Sequence, residues 1–141
     1  MKDFWSRYKR FKDLPAKDKK LSLKALFDLI HIWLALKILP FNKFKTYFKW
    51  LGNKRNSKIN TTEYALAISR ASLFAKNKFT CLPQALTLKK EFYVDTDVHL
   101  IIGVSPDLQK KLDAHAWVES NNQFIIGEVP DFNYLPLWQW T

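Results

Sequence analysis

The chain has 141 residues, 48% of them apolar and 16% aromatic, with one cysteine and a net charge of +10. That is room and apolar material for one ordinary domain, which excludes a disordered chain; a lone Cys excludes an internal disulfide and a Cys-cluster zinc site. Residues 1–59 hold 16 Lys/Arg against 4 Asp/Glu and residues 60–141 hold 7 against 9, so a front half of +12 precedes a back half of −2.

Such asymmetry suits a nucleic acid, an anionic membrane surface or an acidic polypeptide, or else a merely solvated helical surface. Met1-Lys2-Asp3-Phe4 does not open a signal peptide, so a reducing cytoplasm is the expected compartment. Residues 1–20 are basic and aromatic (Phe4, Trp5, Tyr8, Phe11) without a clear period. Ser22 opens an apolar helix, Leu23 to Leu39, that Pro40 stops. It is short, and Asp28, His31 and Lys37 charge it too heavily for a membrane span, so core or partner packing is expected. Phe41 to Leu51 reads as a second amphipathic helix with Phe44, Tyr47, Phe48 and Leu51 on one side, and residues 52–58 as a linker. Asn60 with Glu63 forms a capping-box pattern that starts a helix running to near Asn77.

Thr80-Cys81-Leu82-Pro83-Gln84 then begins another helix, because Thr is a capping residue and Pro is tolerated only in a first turn. Cys81 therefore stands at a helix N-terminus, where unpaired N–H groups and the macrodipole favour a thiolate and could hold an oxyanion. Thr80, Leu82 and Gln84 flank that position. Taken alone, a single Cys is more often a small buried apolar residue.

The period changes to two afterwards. Residues 98–104, 113–119 and 123–128 read as short strands. Helices followed by a small antiparallel sheet make an α+β fold, divided here into a basic helical N-terminal region (1–59) and a core (60–141). Alternation puts His115, Trp117 and Glu119 on one face. A two-residue Asn121-Asn122 turn of type I′ would pair Glu119 with Phe124, Trp117 with Ile126 and His115 with Glu128. A helix-borne Cys, a strand-borne His and a carboxylate on the next strand are the parts of a thiol hydrolase. Cys81 is then the nucleophile, His115 the base and Glu128 the orienting acid, with Asp131 the rival third member and Trp117 a shield against water. His31 and His99 have no obvious carboxylate partner. The pattern calls for no metal and no cofactor.

The order CLPQAL, HLIIGV, AHAWVE, FIIGE resembles the transglutaminase-like cysteine proteases that cut leader peptides in lasso-peptide biosynthesis. The segment ALFDLIHIWLALKILPF is similar to that family's apolar helix, and the likeness spans roughly residues 20–137. It implies a papain-like core with Cys81 as nucleophile and His115 as base; Glu128 stands where Asp is common. It also implies leader removal from a ribosomally made precursor beside a separate PqqD-like leader-recognition protein. An ATP-dependent macrolactam synthetase would then close the freed core. With the front half read as helices, the chain is expected to be the split, stand-alone form. Lys43, Lys45 and Lys49 are the expected partner-docking cations, and membrane docking beside an ABC exporter, peripheral at the inner face, competes for the same surface. The alternatives are a transglutaminase-type amide transferase and a basic membrane- or nucleic-acid-binding module with an inert Cys81; the protease reading involves no nucleic acid.

Overall fold

Prolines punctuate the helical half of the computed structural model, which describes residues 2–54, 58–106 and 113–140; the side chains of residues 2–4, Phe4 included, are outside that description. Helix α1 (Lys2–Lys12) gives way at Pro15, which caps α2 (Ala16–Ile38), and Pro40 caps α3 (Phe41–Asn53). Each proline has a preset φ and no N–H to lose, which suits the start of a helix better than its interior. Helix α2 therefore begins at Ala16 and not at Ser22, which is buried mid-helix. The early turn is built from Ala and Lys, good helix formers, with Asp18 favourably placed near the positive end of the dipole. The aromatic-basic opening, which showed no period, is helical too. Phe11 packs edge-on against Phe74 at 6.2 Å, and Arg7 donates to the Leu73 carbonyl at 2.7 Å.

Helix α4 (Thr61–Ser72) starts at Asn60, whose side-chain oxygen accepts from the Glu63 N–H at 3.1 Å. The reciprocal half of the expected box is replaced, because the Glu63 carboxylate takes Lys17 at 2.9 Å. A short 3₁₀ turn (Leu73–Ala75) follows, so the helix ends sooner than Asn77. Helix α5 (Cys81–Glu91) precedes strands β1 (Val98–Val104), β2 (Ala114–Ser120), β3 (Gln123–Ile126) and β4 (Leu135–Trp140). The strands form one antiparallel sheet in the order β3-β2-β1-β4. Strand β4, which sequence reasoning missed, carries Pro136 and sits at an edge, where a missing N–H is tolerated. Segment 52–58 is partly helix, and 55–57 lies outside the described residues.

Helices α4 and α5 pack on the sheet and against α2. The shared core runs from Ala25, Leu29 and Ile32 on α2 through Phe44 and Phe48 on α3. It continues through Ile68, Leu86 and Leu88 to Leu100, Ala116 and Val118. Residues on both sides of position 59 thus fill one apolar cluster. Within it lies a charged knot that joins α2, α4 and α5. Lys90, fully buried, meets Asp28 at 2.5 Å; Lys24 bridges Asp28 at 2.7 Å and Glu91 at 2.8 Å; the Tyr64 hydroxyl donates to Asp28. The neighbouring Lys89 ammonium donates to the Val98 carbonyl at 2.6 Å, and burial lowers its pKa.

Among the described residues, nothing covers the outer face of α2. Leu23, Phe27, Ile30, Leu34 and Ile38 are exposed along its length, and Phe41 continues the stripe onto α3. Among the described residues, no helix is long and apolar enough to cross a membrane.

Candidate active site

Cys81 is the first residue of α5, half-buried, its thiol free. Thr80 takes the extended cap conformation, but its side chain makes no capping bond. Gln84 supplies the local tie instead, its side-chain amide donating to the Phe79 carbonyl at 2.7 Å. Pro83 is buried in the first turn and has no N–H, while the Gln84 N–H reaches the Thr80 carbonyl at 3.3 Å. Helix geometry thus leaves Cys81 and Leu82 as the first-turn N–H groups without an intrahelical acceptor. They flank the thiol, where an oxyanion formed by its attack would develop.

His115 lies near the start of β2, opposite Gly103 on β1. The Asn121-Asn122 turn has the expected positive φ values of 52° and 60°. Ser120 pairs with Gln123 and Glu119 with Phe124, as the two-residue turn requires. One step further the register slips: Ile126 lies opposite Val118 and not Trp117. The register shifts between Val118 and Glu119, leaving Ile125 on β3 unmatched, and the strand ends at Ile126. The expected pairing of His115 with Glu128 is therefore corrected. Glu128 is exposed, as is Asp131, and neither is hydrogen-bonded to the imidazole. The ring's Nε2 meets the Gly127 carbonyl at 2.6 Å. A carbonyl only accepts, so Nε2 carries the proton and the Nδ1 lone pair is left to act as a base.

Gly127 is suited to this position by its backbone. Its φ is +92°, and a Cβ there would stand 2.8 Å from both the Ala116 carbonyl oxygen and the Trp117 Cβ. Gly127→Ala is expected to cost about 2–4 kcal/mol, combining left-handed strain with a packing clash. Urea unfolding measures that loss, and a change under about 0.5 kcal/mol would show that the turn relaxes freely.

Around His115 lies an aromatic cluster. Trp117 stacks on it at 6.3 Å with 17° between planes, is 1% exposed, and donates its indole N–H to Glu119 at 2.7 Å. Tyr134 lies against the imidazole at 4.9 Å, and Phe132 edge-on at 6.4 Å. The Tyr134 hydroxyl donates to Asp113 at 2.7 Å. That bond raises the hydroxyl's pKa, with burial and the charges of Asp113 and Cys81 adding to the shift. No hydrogen bond joins the Cys81 sulfur to His115 among the described residues. Asp113, Phe132 and Tyr134 were missed from sequence. Asp113 alone left a signal there, two residues before His115 and so on the same strand face.

The sequence pattern of the transglutaminase-like superfamily matches residues 29–138, taking in α3 to α5, β1 to β3 and most of β4. No curated protein and no solved structure matches the chain.

Proposed function

The chain belongs to the transglutaminase-like superfamily, and on that premise we propose that it is a cysteine endopeptidase removing the leader from a lasso-peptide precursor. The observation that carries the chemistry is Cys81 at the start of α5, with His115 tied so that Nδ1 keeps its lone pair. The substrate reading is supported by the resemblance of CLPQAL and AHAWVE to the leader peptidases.

The Cys81 thiol gives its proton to His115 Nδ1 as the sulfur attacks the scissile carbonyl. The Cys81 and Leu82 N–H groups receive the oxyanion. Collapse breaks the C–N bond, and the imidazolium returns its proton to the leaving amine. Water, deprotonated by His115, then cleaves the acyl-thioester. The thiol and imidazole close to hydrogen-bond distance in the substrate complex. An amine in place of water would give transfer instead of hydrolysis through the same acyl-enzyme.

The substrate arrives through a separate PqqD-like recognition protein. Support comes from the α2 stripe of Leu23, Phe27, Ile30, Leu34 and Ile38, flanked on α3 by exposed Phe41, Trp50, Lys43, Lys45 and Lys49. Cations steer an acidic leader complex to this surface and the apolar stripe holds it. The freed core then passes to an ATP-dependent macrolactam synthetase in the cytoplasm. Membrane docking beside an exporter would use the same surface.

Incubation with precursor and recognition protein, read by mass spectrometry, tests the whole reading. One cut at the leader–core junction is expected, with weak cleavage when the partner is left out. Reversing Lys43, Lys45 and Lys49 to Glu is expected to raise the apparent KM about tenfold or more at low salt, with kcat nearly unchanged. Cleavage that ignores partner, salt and these lysines would sink the docking arrangement.

A further inference from the structure

His115 has one hydrogen bond among the described residues, from Nε2 to Gly127. A ring held at one corner can still tilt, so its two faces must also be confined. Trp117 stacks on the ring and is itself immobilised by burial and by Glu119. On the other contact stands Tyr134, only half-buried, whose position depends on its hydroxyl tether to Asp113. Asp113 is anchored in turn, because its carbonyl accepts the Ser105 N–H at 2.9 Å and so extends the ladder beyond β1.

We propose that Tyr134, tethered through its hydroxyl to Asp113, is a positioning residue that holds the His115 imidazole ready to take the Cys81 proton. Two physical effects act together. The tether removes the freedom of the tyrosine ring that lies 4.9 Å from the imidazole. A phenol donating to a carboxylate also carries more electron density on its ring, which favours a cation beside it. That cation is the imidazolium formed when the thiol loses its proton. The Tyr134 hydroxyl is a neutral donor at working pH, as any tyrosine is, and its bond to Asp113 favours that form further. An acidic residue upstream of His115 thereby supports it through an aromatic ring, where a downstream carboxylate was expected.

The inference rests on the reading of Cys81 and His115 as nucleophile and base, and its test separates the two. Tyr134→Phe keeps the ring and loses the tether; Asp113→Ala removes the acceptor and loses the same tether from its other end. Each is expected to slow iodoacetamide labelling of Cys81 at neutral pH by about 3–10-fold, the effect of one hydrogen bond. The kcat for precursor cleavage should fall by the same factor with KM unchanged. The double variant should be no slower than either single one, because both act through one bond. Tyr134→Leu, which removes the ring, should be slower than Tyr134→Phe. Unchanged labelling and kcat in both single variants, or losses that multiply in the double, would overturn the proposal. Slowed labelling in a protein that cuts no precursor would uphold the positioning role and reject the protease.

Discussion

Cys81→Ala is expected to abolish the proposed precursor cleavage, by at least about 10³-fold, while melting temperature should stay within a few degrees of the parent. In the proposed mechanism the thiol is the atom that forms the acyl-enzyme, and Cys81 is the chain's one cysteine. Its removal costs little packing, because Cys81 is only half-buried and a methyl group remains. His115→Ala is expected to lose nearly as much, and the double variant no more, since the pair works as a unit. Glu128→Gln and Asp131→Asn are expected to cost far less, because the Gly127 carbonyl already occupies Nε2. Mass spectrometry of the cleaved precursor and single-turnover rates supply the readout. Cleavage surviving in Cys81→Ala removes the basis of the mechanism. A Glu128→Gln loss as deep as that of His115→Ala would mean that the carboxylate displaces Gly127 in the substrate complex.

The largest stability effect lies far from the thiol, at Asp28. Burial by itself pushes this carboxyl's pKa up. The Lys90 charge, with hydrogen bonds from Lys24, Lys90 and Tyr64, outweighs that and holds it at about 2. The folded value lies below the ordinary carboxyl value of 3.8, so the ionised knot contributes stability above that value and loses it as pH falls toward 2. The shift corresponds to about 2 kcal/mol. Removing the carboxylate altogether is worse, since Lys90 is fully buried against it. Asp28→Ala is expected to cost about 3–5 kcal/mol, the usual range for breaking a buried ion pair from one side. Urea unfolding at pH 7 and at pH 3 measures both effects. Wild type should weaken on acidification, and Asp28→Asn should show a shallower dependence. Equal pH slopes in the two proteins would mean that other carboxylates govern the acid limb.

The α+β order of elements was legible without coordinates because local rules sufficed. Pro40 stops α2, Asn60 caps α4, Pro83 fits only a first turn, and short apolar, β-branched and aromatic runs mark β1 and β2. The Asn121-Asn122 turn was legible for the same reason: positive φ is a property of the residues themselves. The start of α2 was misread because Ser22 looks like a cap and is packed as a core residue. Strand β4 was hidden by Pro136 and by exposure on both faces, which erased the apolar alternation. The partner of His115 was beyond any local rule. The register shifts between Val118 and Glu119, β3 ends at Ile126, and the Gly127 carbonyl rather than the Glu128 carboxylate meets the imidazole. Trp117, Phe124 and Phe132 pack together beside that shift. The same packing gathers Asp113 and Tyr134, 21 residues apart, beside one ring. Sequence therefore determined which residues carry reactive chemistry, through their types and their places in helix or strand. Only tertiary structure decided which of them touch, because contact across strands depends on register, and register is a property of the whole sheet.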